Sequence, residues 1–339
     1  MKKVLITLIC LWAVSFAQAQ TDATANRIKE IRSAYAKAKE KIAQNGKNGQ
    51  SPKDMCMVIN DVTDEEAEIT DWSEVTYYFD EQHEDYKSIK RPYFLIEKWT
   101  SHQHTRYHEM LFNPDDGSLM FSYRKGETDG GFVVESRYYY DTKGNLIEEK
   151  HNTHNSWSSG DSEKEEAQHF MTIFKMVNSS EYTSSIDNTQ SGLIAPKPGR
   201  IKHIREVYAS AKDKIAKDAK SEWQRNIQIT VRNEGEQWPP TTTELHFYFD
   251  PQCYFISYHR SFMGFDHYKE FLFEPGTTDL IFSYTRGREE GEEREWRYYY
   301  NERGLCVEAK SNAEEIDYGY SDRLAAKDYL LLFNKIINP

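Results

Sequence analysis

Three histidines at spacings of two and four residues form the most metal-like pattern in the chain. They are His102, His104 and His108, and in an unbroken strand all three would point to one face. Neutral imidazoles are zinc ligands, and together with nearby carboxylates the same hairpin could serve a hydrolase. Against this, the matched positions later in the chain carry no histidine, and Lys269 stands where His108 stands. The sequence favours solvated loop histidines and predicts no cofactor.

Glutamate and arginine recur at matched places between aromatic neighbours. Glu109 and Arg137 return as Glu270 and Arg297. Such polar residues are candidates for ligand binding, but opposite charges on neighbouring strands more commonly form cross-strand ion pairs on a half-exposed face. We therefore expect equivalent Glu109–Arg137 and Glu270–Arg297 pairs.

Four tryptophans have no counterpart in the other half and are candidate contacts for a peptide or glycan. They are Trp72, Trp99, Trp157 and Trp238, and all but Trp99 fall where loops are expected. Packing common to both halves does not require them, and aromatic rings suit binding surfaces. Aromatic residues make up 14% of the chain, a share high enough to raise this question.

These residues are carried by a sequence that repeats. Residues 27–43 match residues 200–216 at twelve of seventeen positions. Each segment places isoleucine, tyrosine and alanine at steps of three and four, which predicts an amphipathic helix with one buried face. A second apolar stripe runs through residues 167–177 and returns in residues 326–336, predicting a helix at the end of each half.

Between these helices lie alternating aromatic and β-branched segments separated by turn residues. The clearest is residues 135–148, in which three tyrosines precede Asp141 and Gly144, and residues 295–308 repeat it. Such segments indicate hairpins. We predict an α+β fold made of two tandem copies, each a helix, an antiparallel meander of about seven strands, and a second helix.

The ends of these copies define the expected domains. Lys2 and Lys3, an apolar run and Ala17-Gln18-Ala19 predict a signal peptide over residues 1–19. The first α+β domain is expected over residues 20–178, a linker over 179–199 and the second domain over 200–339. The leader predicts an exported protein, periplasmic or secreted, and no later run is long and apolar enough to span a membrane.

Composition excludes some function classes. The 43 basic residues are outnumbered by 55 acidic ones, and the net charge of −12 makes nucleic acid an improbable partner. Cys56, Cys253 and Cys306 do not form a disulfide framework; a Cys253–Cys306 bridge stays open, and three thiols are favoured. The motifs of serine hydrolases, phosphate-binding loops, zinc proteases and dinucleotide-binding folds are missing from the sequence.

The Tyr138–Ile147 hairpin resembles the tyrosine–aspartate–glycine hairpins of YD-repeat and MORN-like proteins. Taken with its Ile-Arg-x-x-Tyr-Ala helix, the whole unit resembles uncharacterised secreted tandem-repeat β-meander proteins of Gram-negative anaerobes. That resemblance implies a fold and supplies no catalytic residues.

Three functions remain open on this sequence. The favoured one is an exported, non-enzymatic protein that binds an unknown protein, peptide or glycan. The second is a carrier that holds a small apolar ligand between sheet and helix, which predicts a cavity in each half. The third is a hydrolase that uses the histidine-rich hairpin, which predicts a histidine within hydrogen-bond reach of an acid in a pocket.

Overall fold

The described residues form an α+β fold with four helices and fourteen strands. The structure, a computed structural model, describes residues 2–47, 53–64, 69–84, 87–101, 104–127, 131–153, 158–178, 193–219, 225–233, 241–262, 265–289, 292–313 and 319–338. Its first half contains α1 Lys2–Gln44, β1 Lys53–Asp64, β2 Ile69–Glu84, β3 Lys87–Ser101, β4 His104–Phe112, β5 Leu119–Glu127, β6 Val133–Tyr140, β7 Leu146–His151 and α2 Gly160–Asn178. Its second half contains α3 Arg200–Asp218, β8 Asn226–Asn233, β9 Thr241–Phe249, β10 Cys253–Phe262, β11 Phe265–Phe273, β12 Leu280–Glu289, β13 Glu292–Tyr300, β14 Cys306–Ser311 and α4 Tyr320–Ile337.

All fourteen strands belong to one antiparallel sheet. Their order runs from β14 down to β8, then β1, and on to β7. The prediction of a meander is confirmed, but that of a separate sheet of about seven strands in each half is wrong. The two meanders join because β1 and β8, the first strand of each, pair with one another. Each would otherwise leave an apolar edge strand unpaired.

The seam between β1 and β8 is nearly symmetric. Met57 pairs with Ile229, its own counterpart in the repeat, and Met55 and Ile59 pair with Val231 and Ile227. A pseudo-two-fold axis therefore passes between Met57 and Ile229, as in an isologous dimer interface.

The two ends of the seam carry different polar contacts. At one end Arg232 Nε lies 2.9 Å from Asp54 Oδ1. At the matched end, Asn60 Nδ2 donates to Asn226 Oδ1 over 3.2 Å. An ion pair thus faces an amide pair across the pseudo-two-fold axis.

Helices cover both faces of the sheet. The predicted stripe of α1, from Ile28 to Ile42, packs on one face of the first meander, and that of α3 packs on the same face of the second. On the opposite face, α2 and α4 lie over one continuous core that includes strands from both halves. Since α1 and α3 have separate clusters while α2 and α4 share one, the α2/α4 face binds the halves together.

The repeated tyrosine hairpin connects the two faces. Tyr138 and Tyr140 point into the α2/α4 core, while Tyr139 packs under α1. Gly144 has φ +76°, and Asp141 Oδ1 accepts from the backbone N–H groups at the turn. Tyr140 Oη donates to the Gly160 carbonyl at the start of α2, and Tyr300 Oη reaches Gly319 before α4 in the same way. The motif positions the first turn of each covering helix.

Three further predictions concern the cysteines, membrane-spanning helices and the linker. Cys56, Cys253 and Cys306 are free thiols. Within the described chain, no helix combines the length and apolar character that crossing a bilayer requires. Of the predicted linker, residues 193–199 are described, and Ile194 N donates to the Cys306 carbonyl at the end of the sheet.

Candidate functional site

A buried carboxylate lies under each helix of the α1/α3 face. Glu109 accepts hydrogen bonds from Tyr35 and Tyr107 and from Lys39 Nζ, the last over 2.6 Å. It is 3% exposed. The predicted Glu109–Arg137 ion pair is therefore wrong, because Glu109 pairs with Lys39 of α1.

Glu270 has the same set of partners in the second half. Tyr208 and Tyr268 donate to it over 2.6 Å, and Lys212 Nζ lies at 2.8 Å. Burial, followed by the hydrogen bond to Glu270 and its charge, raises the pKa of Tyr208 above its usual value. The tyrosines are therefore protonated donors, and the predicted Glu270–Arg297 pair is also wrong.

Strand register explains why each arginine misses its expected partner. Glu109 pairs across the ladder with Tyr123, which pairs in turn with Arg137, so a tyrosine stands between the two charges. The Arg137 guanidinium lies 5.1 Å from the Tyr123 ring centroid and 3.1 Å from Glu135.

The second half has an equivalent row. Arg297 lies 5.3 Å from the Tyr284 ring and 2.7 Å from Glu295. Both arginines face the helix side but stay half-exposed. The four predicted residues thus form two glutamate–tyrosine–arginine rows in place of two ion pairs.

A cleft of about 400 Å³ runs beside α3 along this row, and we call it the α3 cleft. Its lining is aromatic and cationic, formed by Ile204, Arg205, Tyr208, Phe282, Tyr284, Arg297 and Tyr299. The matched first-half positions hold the same seven residue types, at Ile31, Arg32, Tyr35, Phe121, Tyr123, Arg137 and Tyr139. Arg205 and Arg32 each lie 5.7 Å from a tyrosine ring, those of Tyr299 and Tyr139.

The other face holds a buried polar cluster where α2 begins, and we call it the α2 corner: Glu97, His108, Ser122, Arg124, Glu163 and Glu166. His108 alternates with Met110 and Phe112 along β4, so it points into the α2/α4 core, where it is 2% exposed. The prediction that it is a solvated loop residue is wrong. His104 opens β4 and is partly buried, and His102 lies outside the described residues.

Glu163 occupies the centre of the α2 corner. It is fully buried. His108 Nε2 lies 2.8 Å from its Oε2, Ser122 Oγ donates to the same oxygen, and Arg124 Nε contacts Oε1. Burial alone would raise the pKa of Glu163, but the hydrogen bond and charge of His108, with Arg124, lower it to about 2. The carboxylate is therefore ionised inside the core.

The other ring nitrogen of His108 faces two further carboxylates. Nδ1 lies 3.5 Å from Glu97 Oε2 and 3.9 Å from Glu166 Oε1. It is buried and has no hydrogen-bond partner among the described residues. These three ligand atoms all lie within 4.8 Å of one another, the spacing of a group that could hold a metal ion.

The second half has a matched α4 corner with different chemistry, formed by Tyr258, Lys269, Ser283, Thr285, Asp322 and Ala325. Lys269 Nζ lies 2.7 Å from Asp322 Oδ1, and Ser283 and Thr285 donate to the same carboxylate. Tyr258 stands where the first half has Glu97, and Ala325 where it has Glu166. A cleft of about 370 Å³ opens beside this pair.

Of the four predicted tryptophans, the structure describes Trp72 and Trp99, and these two lie on opposite faces of the sheet. Trp72 lies within β2 and not in a loop, because β2 extends from Ile69 to Glu84. Alternation along the strands puts Trp72 on the α1 side and Trp99 on the α2 side, where Arg106 lies 4.7 Å from its ring. Trp157 and Trp238 lie outside the described residues.

The α2 corner meets only part of what a hydrolase requires. A histidine, a serine and acids are within hydrogen-bond reach, as expected for that function. Yet Ser122 and Glu163 are fully buried, and the serine hydroxyl is already donated to Glu163. A nucleophile must contact its substrate, so this serine has neither the access nor the free hydroxyl that acyl transfer needs.

Compared with known proteins, the chain matches no family model, no curated protein and no solved structure.

Sequence reasoning named His108 but missed Glu97, Arg124, Glu163 and Glu166. One signal was available: Glu163 lies four and seven residues before Ala167 and Phe170, on the apolar stripe itself. A charged residue on a buried stripe must find a partner.

Proposed function

We propose that the chain is an exported, non-enzymatic binding protein, and that its ligand occupies the α3 cleft and the matched surface beside α1. One observation carries this proposal: all seven lining positions hold the same residue types in both halves, including two half-exposed arginines over tyrosine rings. Packing accounts for recurring buried rings, but not for recurring exposed arginines.

Charge balance in the cleft favours a neutral, hydroxyl-rich ligand. Arg297 is paired with Glu295, and Arg205 lies 3.6 Å from Glu308, so each cation already has a counter-charge. The pairs still offer N–H donors and carboxylate acceptors beside aromatic faces. A glycan uses all three, whereas an acidic peptide would have to displace the glutamates.

Calorimetric titration with neutral oligosaccharides and with acidic peptides tests this proposal. Replacing both arginines in Arg137→Met, Arg297→Met keeps the apolar stems and removes the donors. Glycan affinity should fall by about tenfold or more, the worth of a hydrogen bond to a charged group. Arg303→Met, in an exposed turn outside the cleft, is the control. Binding of acidic peptides but not of oligosaccharides would show that the ligand is a peptide and not a glycan. Unchanged glycan affinity in the double variant would reject the site.

The carrier of a small apolar ligand is the second candidate, favoured by a different cleft. A space of about 520 Å³ lies between α3 and the turns that follow β9 and β11, lined in part by Val207, Tyr254, Leu272 and Phe273. Val207→Trp would fill it without reaching the α3 cleft. A fluorescent fatty acid that binds the wild type and not this variant would support the carrier function, and equal binding to both would remove it.

The predicted leader and duplication enter this proposal as its premises. Export predicts that the mature protein begins at Gln20, which N-terminal sequencing of envelope or culture-medium protein would show. The domains over residues 20–178 and 200–339, with a linker at 179–199, are proposed as copies of one ancestral unit of the secreted β-meander kind. Twelve identities in the α1 and α3 segments and the matched Glu109 and Glu270 contacts support that origin.

A further inference from the structure

We propose that the α2 corner binds one divalent transition-metal ion through His108 Nδ1 and the carboxylates of Glu97 and Glu166. This inference goes beyond the proposed glycan binding, because the α2 corner and the α3 cleft lie on opposite faces of the sheet. It rests on a buried nitrogen without a hydrogen-bond partner, on the distances around it, on charge, and on the matched corner of the second half.

Hydrogen bonding sets the tautomer of His108. Ser122 gives its hydroxyl proton to Glu163, so the serine oxygen can only accept from His108 Nε2. Nε2 therefore carries a hydrogen, and Nδ1 is the nitrogen at which a metal ion could take the place of a proton. A histidine that donates one N–H to a carboxylate and offers its other nitrogen is the usual arrangement of a metal ligand.

The distances suit a shared ion better than a shared proton. An N–H donor and its oxygen acceptor normally stand about 2.7–3.2 Å apart, but Nδ1 lies 3.5 Å from Glu97 and 3.9 Å from Glu166. Around an ion with bonds of about 2.1 Å, tetrahedral ligand atoms stand about 3.4 Å from one another. Small side-chain shifts would bring all three atoms to that spacing.

The charge of the corner also calls for a cation. The carboxylates of Glu97, Glu163 and Glu166 surround His108. Arg124 contacts two of them, Glu163 and Glu166. When the ion takes the place of the proton on Nδ1, the imidazole is neutral, and the three carboxylates with Arg124 leave two net negative charges that one divalent ion would neutralise.

The ligand set and its exposure point to the class of metal. One imidazole with two carboxylates suits zinc or manganese, and at a given site zinc binds more tightly than manganese. The side chains of Glu97 and Glu166 are 18% and 29% exposed, so an ion can enter from solvent and keep water in the remaining positions. His108 and Glu163 lie behind them and hold the site rigid.

The matched α4 corner has an ammonium group where the α2 corner would have the metal ion. Lys269 replaces His108, and its ammonium group supplies a built-in cation to Asp322. Neither extra carboxylate is kept, since Tyr258 and Ala325 stand at their positions. All three proposed ligand positions have changed, and a fourth change puts Thr285 where the first half has Arg124, while the serine and a central carboxylate stay.

Titration of chelator-treated protein with Zn²⁺ and with Mn²⁺, against a chromophoric competitor, tests the proposal. We expect one equivalent of Zn²⁺, bound more tightly than Mn²⁺. Glu97→Gln and Glu166→Gln should each weaken Zn²⁺ binding by about tenfold or more. Glu244→Gln is the matched control, because it removes a carboxylate 3.9 Å from the half-exposed His259. It should leave the affinity unchanged.

His108→Lys provides a second variant that should keep its fold, because it installs the residue that the α4 corner already uses. It should abolish Zn²⁺ binding while circular dichroism and the unfolding midpoint in chelator stay close to wild type. Glycan affinity should be the same in all of these variants, so failure here leaves the proposed function standing. Wild-type protein without a Zn²⁺ equivalent, or glutamine variants that bind as wild type does, would overturn the proposal.

Discussion

The α2 and α4 corners start from one plan and reach different chemistry. Each places a carboxylate from the first turn of a helix under a serine from the neighbouring strand, with Glu163 and Ser122 in one and Asp322 and Ser283 in the other. In the α4 corner a lysine completes the ion pair and no charge is left over. In the α2 corner a histidine leaves one nitrogen facing two more acids. One strand position, His108 or Lys269, therefore decides whether the central carboxylate has an ammonium group as its partner.

The α1/α3 face is the contrasting region, since its buried contacts have not diverged. Glu109 and Glu270 have the same tyrosine and lysine partners. A buried acid that must anchor a helix to a sheet leaves little freedom for substitution, because each partner removed would leave a polar group without a hydrogen bond. Buried contacts that recur thus report on helix anchoring, and a buried site that differs between matched halves is the better candidate for specific chemistry.

The largest expected effect comes from removing the central carboxylate of either corner. Glu163→Ala leaves His108 and Arg124 without their buried partner, and Asp322→Ala does the same to Lys269. Each should lower the free energy of unfolding by about 3–5 kcal/mol. Urea unfolding in chelator would measure both. Losses below about 1 kcal/mol would show that neither corner holds its helix to the sheet.

An intermediate effect is expected on the undiverged face. Glu109→Gln and Glu270→Gln each keep the shape but lose the charge that faces Lys39 or Lys212, and should cost about 1–3 kcal/mol. Because the partners match, the two losses should be similar, and because the sites are far apart, the double variant should lose their sum within about 0.5 kcal/mol. A clear inequality between them would break the equivalence of the two helix–sheet contacts.

The smallest effect belongs to the seam, whose two ends also differ. Asp54→Asn should cost about 0.5–1 kcal/mol, because the partner Arg232 is nearly half exposed and its charge is screened by solvent. The double change Asn60→Arg, Asn226→Asp would place the same pair at the other end and should restore a similar amount. High salt should reduce both effects. Salt-independent values would mean that packing, and not charge, separates the two ends.

Local patterns were enough to predict the covering helices and the hairpins. The stripe that contains Ile31 and Tyr35 fixed the buried face of α1 through its spacing alone. The tyrosine motif predicted its turn because Asp141 and Gly144 each satisfy a local backbone requirement. Alternation along β6 places Tyr139 on the opposite face from Tyr138 and Tyr140, as the two cores show.

What the sequence could not show was long-range pairing. Nothing in residues 53–64 indicates that their edge partner lies in the other half, because an alternating strand is satisfied by any antiparallel neighbour. The α2 corner could not be predicted for the same reason. Glu97, His108 and Glu163 come from β3, β4 and α2 and meet only in the folded protein. The ion-pair prediction failed for a related reason, since it needed the register that puts Tyr123 between Glu109 and Arg137.

The seam between β1 and β8 has a consequence for the order of folding. The first meander can form its six internal strand pairings as soon as β7 is available, but the outer edge of β1 stays unpaired until α3 and β8 follow. If the chain is exported from its N-terminus, as proposed, the β1 edge stays unpaired, and Met55 and Met57 lack their cross-strand partners, until β8 has also crossed the membrane. A chain stopped after α2 would therefore carry a ready template for self-association, and two such fragments could pair through β1 about the same pseudo-two-fold axis.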